Sequence, residues 1–237
     1  MESIVLAATN LEISFLLEVS GCRFVEKILG FNVYNVKQNR NNIHIVESGP
    51  GLANISAAAA LSVERFSPEH IFNIGVCGVY SSDLGLLTKV VTGRSAVFAG
   101  AGVETENGYQ DMEDIGLPFY SKDDGDDVYN IFPLSDGMVD ESFLRGRFLS
   151  LSAVSGDAAQ VEKIRKRFES KDMLMCEDME TAAVALMACR ADIPCTAIRG
   201  ISNLCGDRNY RNWRLKEAAD AAQKIFLKEI CGLDLNN

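Results

Sequence analysis

The feature that most constrains this chain is an alternation running from one end to the other. Short apolar runs of strand length are each followed by a stretch with helical spacing. Residues 3–8 (SIVLAA) read as a buried strand, and Asn10 is placed to cap a short helix over 11–18. Residues 24–29 and 31–36 pattern as a hairpin about Gly30. A strand over 43–47 closes at Ser48-Gly49-Pro50-Gly51, an Ala-rich helix covers 52–66, and a strand over 70–74 ends at Gly75-Val76-Cys77-Gly78. Strand-like runs follow at 89–92 and 95–98. From 100 to 136 the pattern breaks into glycines, acids and turn residues. A strand over 148–154, a helix over 158–168, a strand over 173–176, a helix over 180–190, a strand over 195–201 and a helix over 213–230 complete the chain. Such alternation folds into a sheet with helices on both faces. No internal repeat or linker interrupts it. The expected fold is α/β: one domain over 1–237, three layers α/β/α, with a twisted mixed central sheet.

Composition narrows the function. The chain has 237 residues, of which 47% are hydrophobic and 24% charged, enough to bury a sizeable core. Its formal charge is -10, so a phosphate backbone is repelled and no nucleic-acid partner is expected. The seven cysteines are odd in number, lie mostly in apolar stretches and include no C-x-x-C pair, which reads as reduced core cysteine in a cytoplasmic protein. With only His44 and His70 and no clustered ligand pattern, neither a metal nor another cofactor is expected. Glu2 stands where a signal peptide carries basic residues, and no apolar run is long enough to span a bilayer.

In sheets of this kind ligands bind beyond the carboxyl ends of the strands. Four segments fall there: Thr9 to Glu12, Gly75 to Tyr80, Glu177 to Glu180, and Ser202 to Arg208. The run Glu177-Asp178-Met179-Glu180 puts three acids between a strand and a helix. An acid there either caps the helix, favoured by its dipole, or aims into the cleft. Aimed inward, a carboxylate accepts two hydrogen bonds at once and suits a vicinal diol such as the 2′- and 3′-hydroxyls of ribose. Met179 would then floor the sugar.

Asp178-Met179-Glu180, the Ala-rich helix after it, and Ile198-Arg199-Gly200-Ile201-Ser202-Asn203 resemble the nucleoside phosphorylase and nucleosidase superfamily. Within it the chain is most similar to the futalosine hydrolases of the alternative menaquinone pathway. That closer likeness rests on Arg199 through Arg208 with Trp213, on Gly102-Val103-Glu104-Thr105-Glu106-Asn107-Gly108-Tyr109, and on Gly116-Leu117-Pro118. The resemblance implies a nucleoside phosphorylase-like fold, Glu180 as ribose ligand with Met179 beside the sugar, and Glu12 as the acid that positions or deprotonates the attacking water. It places Asn203 where adenine-releasing relatives carry an aspartate, Ala153 and Val154 near the base, and Val76 and Gly78 as substrate-binding positions in the glycine-rich segment. It also implies a homodimer or higher homo-oligomer, because the segment 103–109 resembles one that reaches a neighbour's site.

The chemistry of N-glycosidic cleavage fits these residue types. Charge builds on ribose and on the leaving purine, so assistance at N7 matters; general acid help is typically worth roughly 10²–10⁴-fold. A protonated aspartate suits adenine. An amide suits a 6-oxopurine, donating to O6 while accepting from N7–H. Asn203 therefore points to hypoxanthine, although after a strand it also reads as a turn residue. A phosphorylase needs cationic or amide-rich phosphate contacts. Thr88 and Val76 stand where related phosphorylases carry an arginine and a serine, which favours water, while Lys89 and Arg94 keep the phosphorolytic alternative open. Arg208 and Arg211, with Tyr210 and Trp213, suit a carboxylated aryl group on C5′, or else form a solvated loop whose Trp213 anchors the last helix. Cys77 and Cys205 read as packing, not as nucleophiles. Three other readings stay open: a methylthioadenosine or adenosylhomocysteine nucleosidase, a phosphate-dependent purine phosphorylase, and a silent nucleoside-binding protein on the same fold.

Overall fold

The computed structural model describes residues 1–38, 41–123, 125–135, 137–168 and 173–233. Asp124, within the stretch 100–136 where the strand and helix pattern breaks, lies outside them. The first half comprises β1 (Glu2–Ala7), α1 (Ser14–Val19), β2 (Arg23–Ile28), β3 (Phe31–Gln38), β4 (Asn41–Glu47), α2 (Leu52–Phe66), β5 (His70–Val79) and β6 (Val90–Phe98). Short strands follow: β7 (Gly102–Thr105), β8 (Gly108–Asp111), β9 (Tyr120–Ser121), β10 (Asp127–Val128) and β11 (Ile131–Pro133). The last part holds β12 (Leu144–Ser150), α3 (Ala158–Phe168), β13 (Leu174–Asp178), α4 (Thr181–Ala191), β14 (Cys195–Leu204) and α5 (Leu215–Ile225).

Ten of these strands form one mixed sheet in the order β11-β6-β12-β13-β5-β1-β4-β3-β2, with β14 paired to both β5 and β6. The double pairing of β14, parallel to β5 and antiparallel to β6, closes five strands into a ring. α2 and α4 pack on one side, with Ile55, Ala58, Ala59 and the alanines of α4 in one core with Leu6 and Phe148. α1 and α5 cover the other, where Leu16, Ala222 and Phe226 meet Val5, Phe72 and Ile198. The expected mixed sheet between helical layers is therefore present, and the ring is an addition that alternation alone does not specify.

The differences from the sequence reading follow from pairing. Gly75 to Val79 is not a loop: β5 continues through it because β14 pairs along its whole length and β13 pairs antiparallel at Gly78 and Val79. For the same reason β14 runs on through Ser202 to Leu204. The two runs at 89–92 and 95–98 are one strand with a bulge at Arg94, since Gly93 pairs with Gly146 and Ser95 with Arg147. β12 starts and ends earlier than 148–154 because its partner β6 ends at Phe98, opposite Ser150. The segment 100–136 contains two small antiparallel ribbons, β7–β8 and β9–β10, whose exposed strands carry no apolar alternation to announce them. Asn10 is not a cap: Thr9 takes that position, its amide and hydroxyl both donating to the Glu12 carboxylate at the end of a single 3₁₀ turn. The last helix begins at Leu215, not 213, and ends in a π turn over Phe226–Ile230.

One glycine sets how closely the final helix can sit. A Cβ on Gly200 of β14 would come well under 3.0 Å from the Ala218 backbone of α5. Interiors tolerate such overpacking poorly. Gly200→Ala is therefore expected to lower stability by about 1–3 kcal/mol in urea unfolding. Gly156→Ala, where a Cβ meets nothing within 4 Å, is expected to be nearly neutral.

Candidate active site

A cleft of about 460 Å³ opens at the carboxyl ends of β1, β13 and β14 and across the last residues of β5. It gathers Thr9, Glu12, Val76, Cys77, Gly78, Val154, Ser155, Glu177, Asp178, Met179, Glu180, Ser202, Asn203, Arg208, Tyr210 and Trp213. Seven of the eight residues that the resemblance places at the site thus share one cavity, and Arg208 joins them. The exception is Ala153. It is exposed and lines a neighbouring groove with Glu104 and Arg167, because β12 ends at Ser150 and the chain turns outward before Val154 and Ser155 re-enter the cleft.

Glu180 occupies the N-cap position of α4, yet its side chain does not cap the helix. Asp178 does that work, accepting from the amides of Glu180 and Thr181 at 3.3 Å each and from the Thr181 hydroxyl. Ser150 adds a bond to the Ala182 amide at 2.9 Å. The Glu180 carboxylate is left to face the cleft, held by the Gly51 amide at 2.9 Å and the Met179 amide at 3.2 Å. Burial pushes its pKa up to about 7, aided by the Asp178 and Glu12 charges and opposed by Arg199 and the Gly51 amide.

Arg199 lies beneath these acids and is fully buried. Its guanidinium meets Asp178 at 3.3 Å and donates to Asn73 and to Thr181. Burial works against its charge, but Asp178, Glu180 and Glu12 outweigh it and raise its pKa. Its Nη1 has no hydrogen-bond partner among the described residues. That atom sits beside Gly75, where a Cβ would collide with both it and the Glu12 carboxylate. Glu12 itself is 5% exposed, and its Oε1 accepts from the Val76 amide at 3.0 Å. Glu12, Glu180 and Arg199 thus converge on one end of the cleft.

Asn203 is aimed by an irregularity. β14 slips one residue against β5 between Ile201 and Asn203, so Asn203 stands opposite Gly78. Its Oδ1 accepts from the Ser202 hydroxyl at 2.8 Å and its Nδ2 donates to the Leu204 carbonyl at 3.1 Å, leaving one N–H and one lone pair for a ligand. A Cβ on Gly78 would sit 3.2 Å from that Nδ2. At the outer end Arg208 stacks over the Tyr210 and Trp213 rings at 5.3 and 5.1 Å and donates to the Tyr210 hydroxyl. Trp213 donates to the Asp207 carbonyl just ahead of α5, so the Arg/aromatic wall and the helix anchor are the same feature. Arg211 is exposed and does not line the cleft. Neither does Lys89, and Arg94 lines a separate groove with Arg145 and Arg147.

The sequence reading assigned no part to Arg199 or Asp178, nor to a network around Glu177. Glu177 accepts from the Tyr80 hydroxyl, from the Ser155 hydroxyl at 2.6 Å and from the Ser155 amide at 3.0 Å. The one available signal was an arginine inside the apolar run CTAIRGI, since a buried cation needs carboxylates near it. All seven cysteines are free, and burial pushes the Cys77 and Cys205 thiols well up, as packing residues should be. No helix among the described residues is long and apolar enough to cross a membrane.

The chain is 27% identical over 186 residues to a 5′-methylthioadenosine/S-adenosylhomocysteine nucleosidase of Geobacillus sp. strain WCH70, covering 78% of this chain and 77% of that one. A protein of the same description from Anoxybacillus flavithermus is 23% identical, over 96% and 97% of the two chains. Among solved structures, that nucleosidase from Neisseria meningitidis, in complex with methylthio-immucillin-A, superposes with a TM-score of 0.77 at 20% identity, over 98% of this chain and 99% of that one. A futalosine hydrolase mutant of Helicobacter pylori strain 26695 superposes with a TM-score of 0.80 at 16% identity, over 98% and 100%. These superpositions show a shared fold. The family model described as the phosphorylase superfamily matches residues 2–231, and the chain belongs to that superfamily.

Proposed function

We propose that this chain is a purine nucleoside hydrolase that cleaves the N-glycosidic bond of futalosine, releasing hypoxanthine. The observation that carries the hydrolase reading is Glu180: it holds the N-cap position of α4, gives up the cap to Asp178, and turns a carboxylate toward the cleft. Such an acceptor suits a ribose diol. The names of the relatives support the same class, since methylthioadenosine/adenosylhomocysteine nucleosidases hydrolyse N-glycosyl bonds.

Water is the favoured nucleophile on two grounds. The cations lining or underlying the described cleft are Arg199, committed to Asp178, and Arg208 at the outer wall. Phosphate would meet the apolar side chains of Val76 and Cys77 in the cleft wall. Glu12 and the unpartnered Nη1 of Arg199 instead offer an acceptor and a donor side by side, the pair a bound water needs. In the step, Glu12 takes a proton from the water as its oxygen bonds to C1′, and the C1′–N9 bond breaks. The purine leaves with the bonding pair and takes a proton at N7 from solvent, becoming hypoxanthine; Asn203 holds it there, its amide donating to O6 and accepting from N7–H, and Glu12 returns its proton to solvent.

The hypoxanthine assignment rests on Asn203, and the futalosine assignment adds Arg208, Tyr210 and Trp213 as a wall for a carboxylated aryl group. A methylthioadenosine-type nucleosidase is the second reading, favoured by the curated relatives' names. One assay separates them: futalosine, aminodeoxyfutalosine, inosine and methylthioadenosine, each with and without phosphate. Free hypoxanthine from futalosine alone, independent of phosphate, is expected. Adenine release from methylthioadenosine would replace this reading with the second.

Loss of the diol contact in Glu180→Ala is expected to lower kcat/KM by at least about a hundredfold, roughly 3 kcal/mol; near-native turnover would end the assignment. The diol needs the ionised carboxylate, so kcat/KM should fall as pH drops through about 7, and this limb should vanish in Glu180→Gln. Stability has the opposite sign. The fold raises this pKa, so it favours the protonated acid, and its contribution is lost as pH rises through about 7. For Asn203→Asp, a shift of preference from 6-oxo to 6-amino purines is expected in the same assay. Unchanged discrimination would mean that another residue reads the base.

A further inference from the structure

We infer that the arginine-lined groove on β6 and β12 is a second ligand site, built to take the diphosphate group of a small anion. It lies outside the catalytic cleft and is independent of the functional reading above. In the sequence, Arg94 kept a phosphate-binding reading of the cleft open. In the structure it lines a different groove, of about 550 Å³, with Ser95, Ile131, Arg145, Arg147 and Met173.

Strand pairing explains why three guanidinium groups meet here. Successive side chains of a strand point to opposite faces. On β12, Gly146 and Phe148 face the core: a Cβ on Gly146 would press on Val91, and Phe148 packs with the alanines of α4. Arg145 and Arg147 therefore take the other face, on which Leu149, Val97 and Met175 pack with Ile164 of α3. Toward the carboxyl ends of the strands α3 covers that face. Toward the amino ends Ser95, Arg145 and Arg147 line the open groove. In a regular strand Arg94 would point away from the face that its neighbour Ser95 takes. The bulge between Gly93 and Ser95 lets both line the same groove.

The chemistry of the groove suits an anion. The chain has a formal charge of -10, and acids line the catalytic cleft and the grooves beside Glu104 and Asp192. Among the described residues no acid lines this one. Arg147 is half-buried, and its one hydrogen bond among the described residues runs from Nε to the Ser95 hydroxyl at 3.3 Å. Both terminal NH₂ groups thus remain as a planar fork, and Ser95, accepting from Nε, keeps its own proton to donate. Such a fork matches two oxygens of one phosphoryl group. Arg145 is fixed in the groove wall by donating to the Thr92 hydroxyl and, at 3.2 Å each, to the Val139 and Asp140 carbonyls. Two residues of strand, roughly 7 Å, separate it from Arg147 along one face. That spacing sets a second positive charge beside a neighbouring phosphoryl group, which a monophosphate does not have.

The test is calorimetric titration of the full-length protein with inorganic pyrophosphate, inorganic phosphate and ADP. Pyrophosphate is expected to bind one site per chain, roughly tenfold or more tighter than phosphate. Its affinity should fall as salt rises, because the groove is open to solvent. ADP binding no tighter than pyrophosphate assigns the site to the diphosphate group alone; tighter ADP binding adds a contact to the nucleoside. Arg147→Gln is expected to weaken pyrophosphate roughly tenfold or more. Arg147→Lys, which keeps the charge and loses the fork, should weaken it less, and Ser95→Ala, which leaves every arginine in place, by a few-fold. Arg208→Gln, in the wall of the catalytic cleft, should leave it unchanged, with thermal unfolding reporting that each variant is folded. The inference is overturned if the unaltered protein shows no saturable binding or binds phosphate as tightly as pyrophosphate. It is equally overturned if affinity survives in Arg147→Gln and Ser95→Ala, or is lost in Arg208→Gln.

Discussion

The interaction on which the rest of the site depends is the buried ion pair of Arg199 with Asp178. A guanidinium taken fully out of water is tolerated only when its charge is met at close range and most of its N–H groups are bonded. Here the compensation comes from four separate elements. β13 supplies Asp178, α4 supplies Thr181, β5 supplies Asn73, and the first 3₁₀ turn brings Glu12 close. Each partner is held elsewhere as well: Asp178 caps α4, Asn73 donates to the Leu6 carbonyl of β1, and Glu12 closes on Thr9. One buried cation therefore fixes the relative positions of the strand ends that carry the chemistry.

That arrangement explains how three acids can crowd one end of a cleft. Asp178 is neutralised by Arg199 and by the start of α4, so it serves the fold. Glu180, denied the capping role, keeps its carboxylate for the cleft at the cost of a raised pKa. Glu12 shares the field of the same arginine across Gly75, where any side chain would separate them. The site's charges are thus set by division of labour among neighbours in sequence: in Asp178-Met179-Glu180-Thr181 the outer two tie the scaffold together and the inner two face the cleft. The short reach from scaffold to chemistry also accounts for the glycines of β5, since Gly75 and Gly78 each make room for a side chain arriving from another strand.

The superfamily is carried by the whole fold, matched over residues 2–231. Under the proposed function, substrate choice falls to a handful of cleft positions, among them the amide of Asn203 and the Arg208 wall. Low identity to solved structures is compatible with this, because the sheet and its closure by β14 constrain hydrophobic pattern far more than individual side chains.

The sequence by itself determined the layers, most strands and helices, and the set of segments that meet at the site. Periodicity is a local property, and Leu52–Phe66 or Ala158–Phe168 can be delimited from it alone. It also made Glu12, Glu180 and Asn203 legible, through acids and an amide at the ends of strands and the motif around them. Only the tertiary structure decided whether Glu180 caps or faces the cleft, because that depends on Asp178 and Ser150 reaching the helix start first. Only it could carry β5 and β14 through segments that read as loops, since a strand is prolonged by its partners. Ala153 was misplaced for the same reason, the end of β12 being set by β6. Arg199 and Glu177 were in view in the sequence as residues, but what they touch comes from Asn73, Gly75, Tyr80, Ser155 and Thr181, brought together by sheet register that no local pattern encodes.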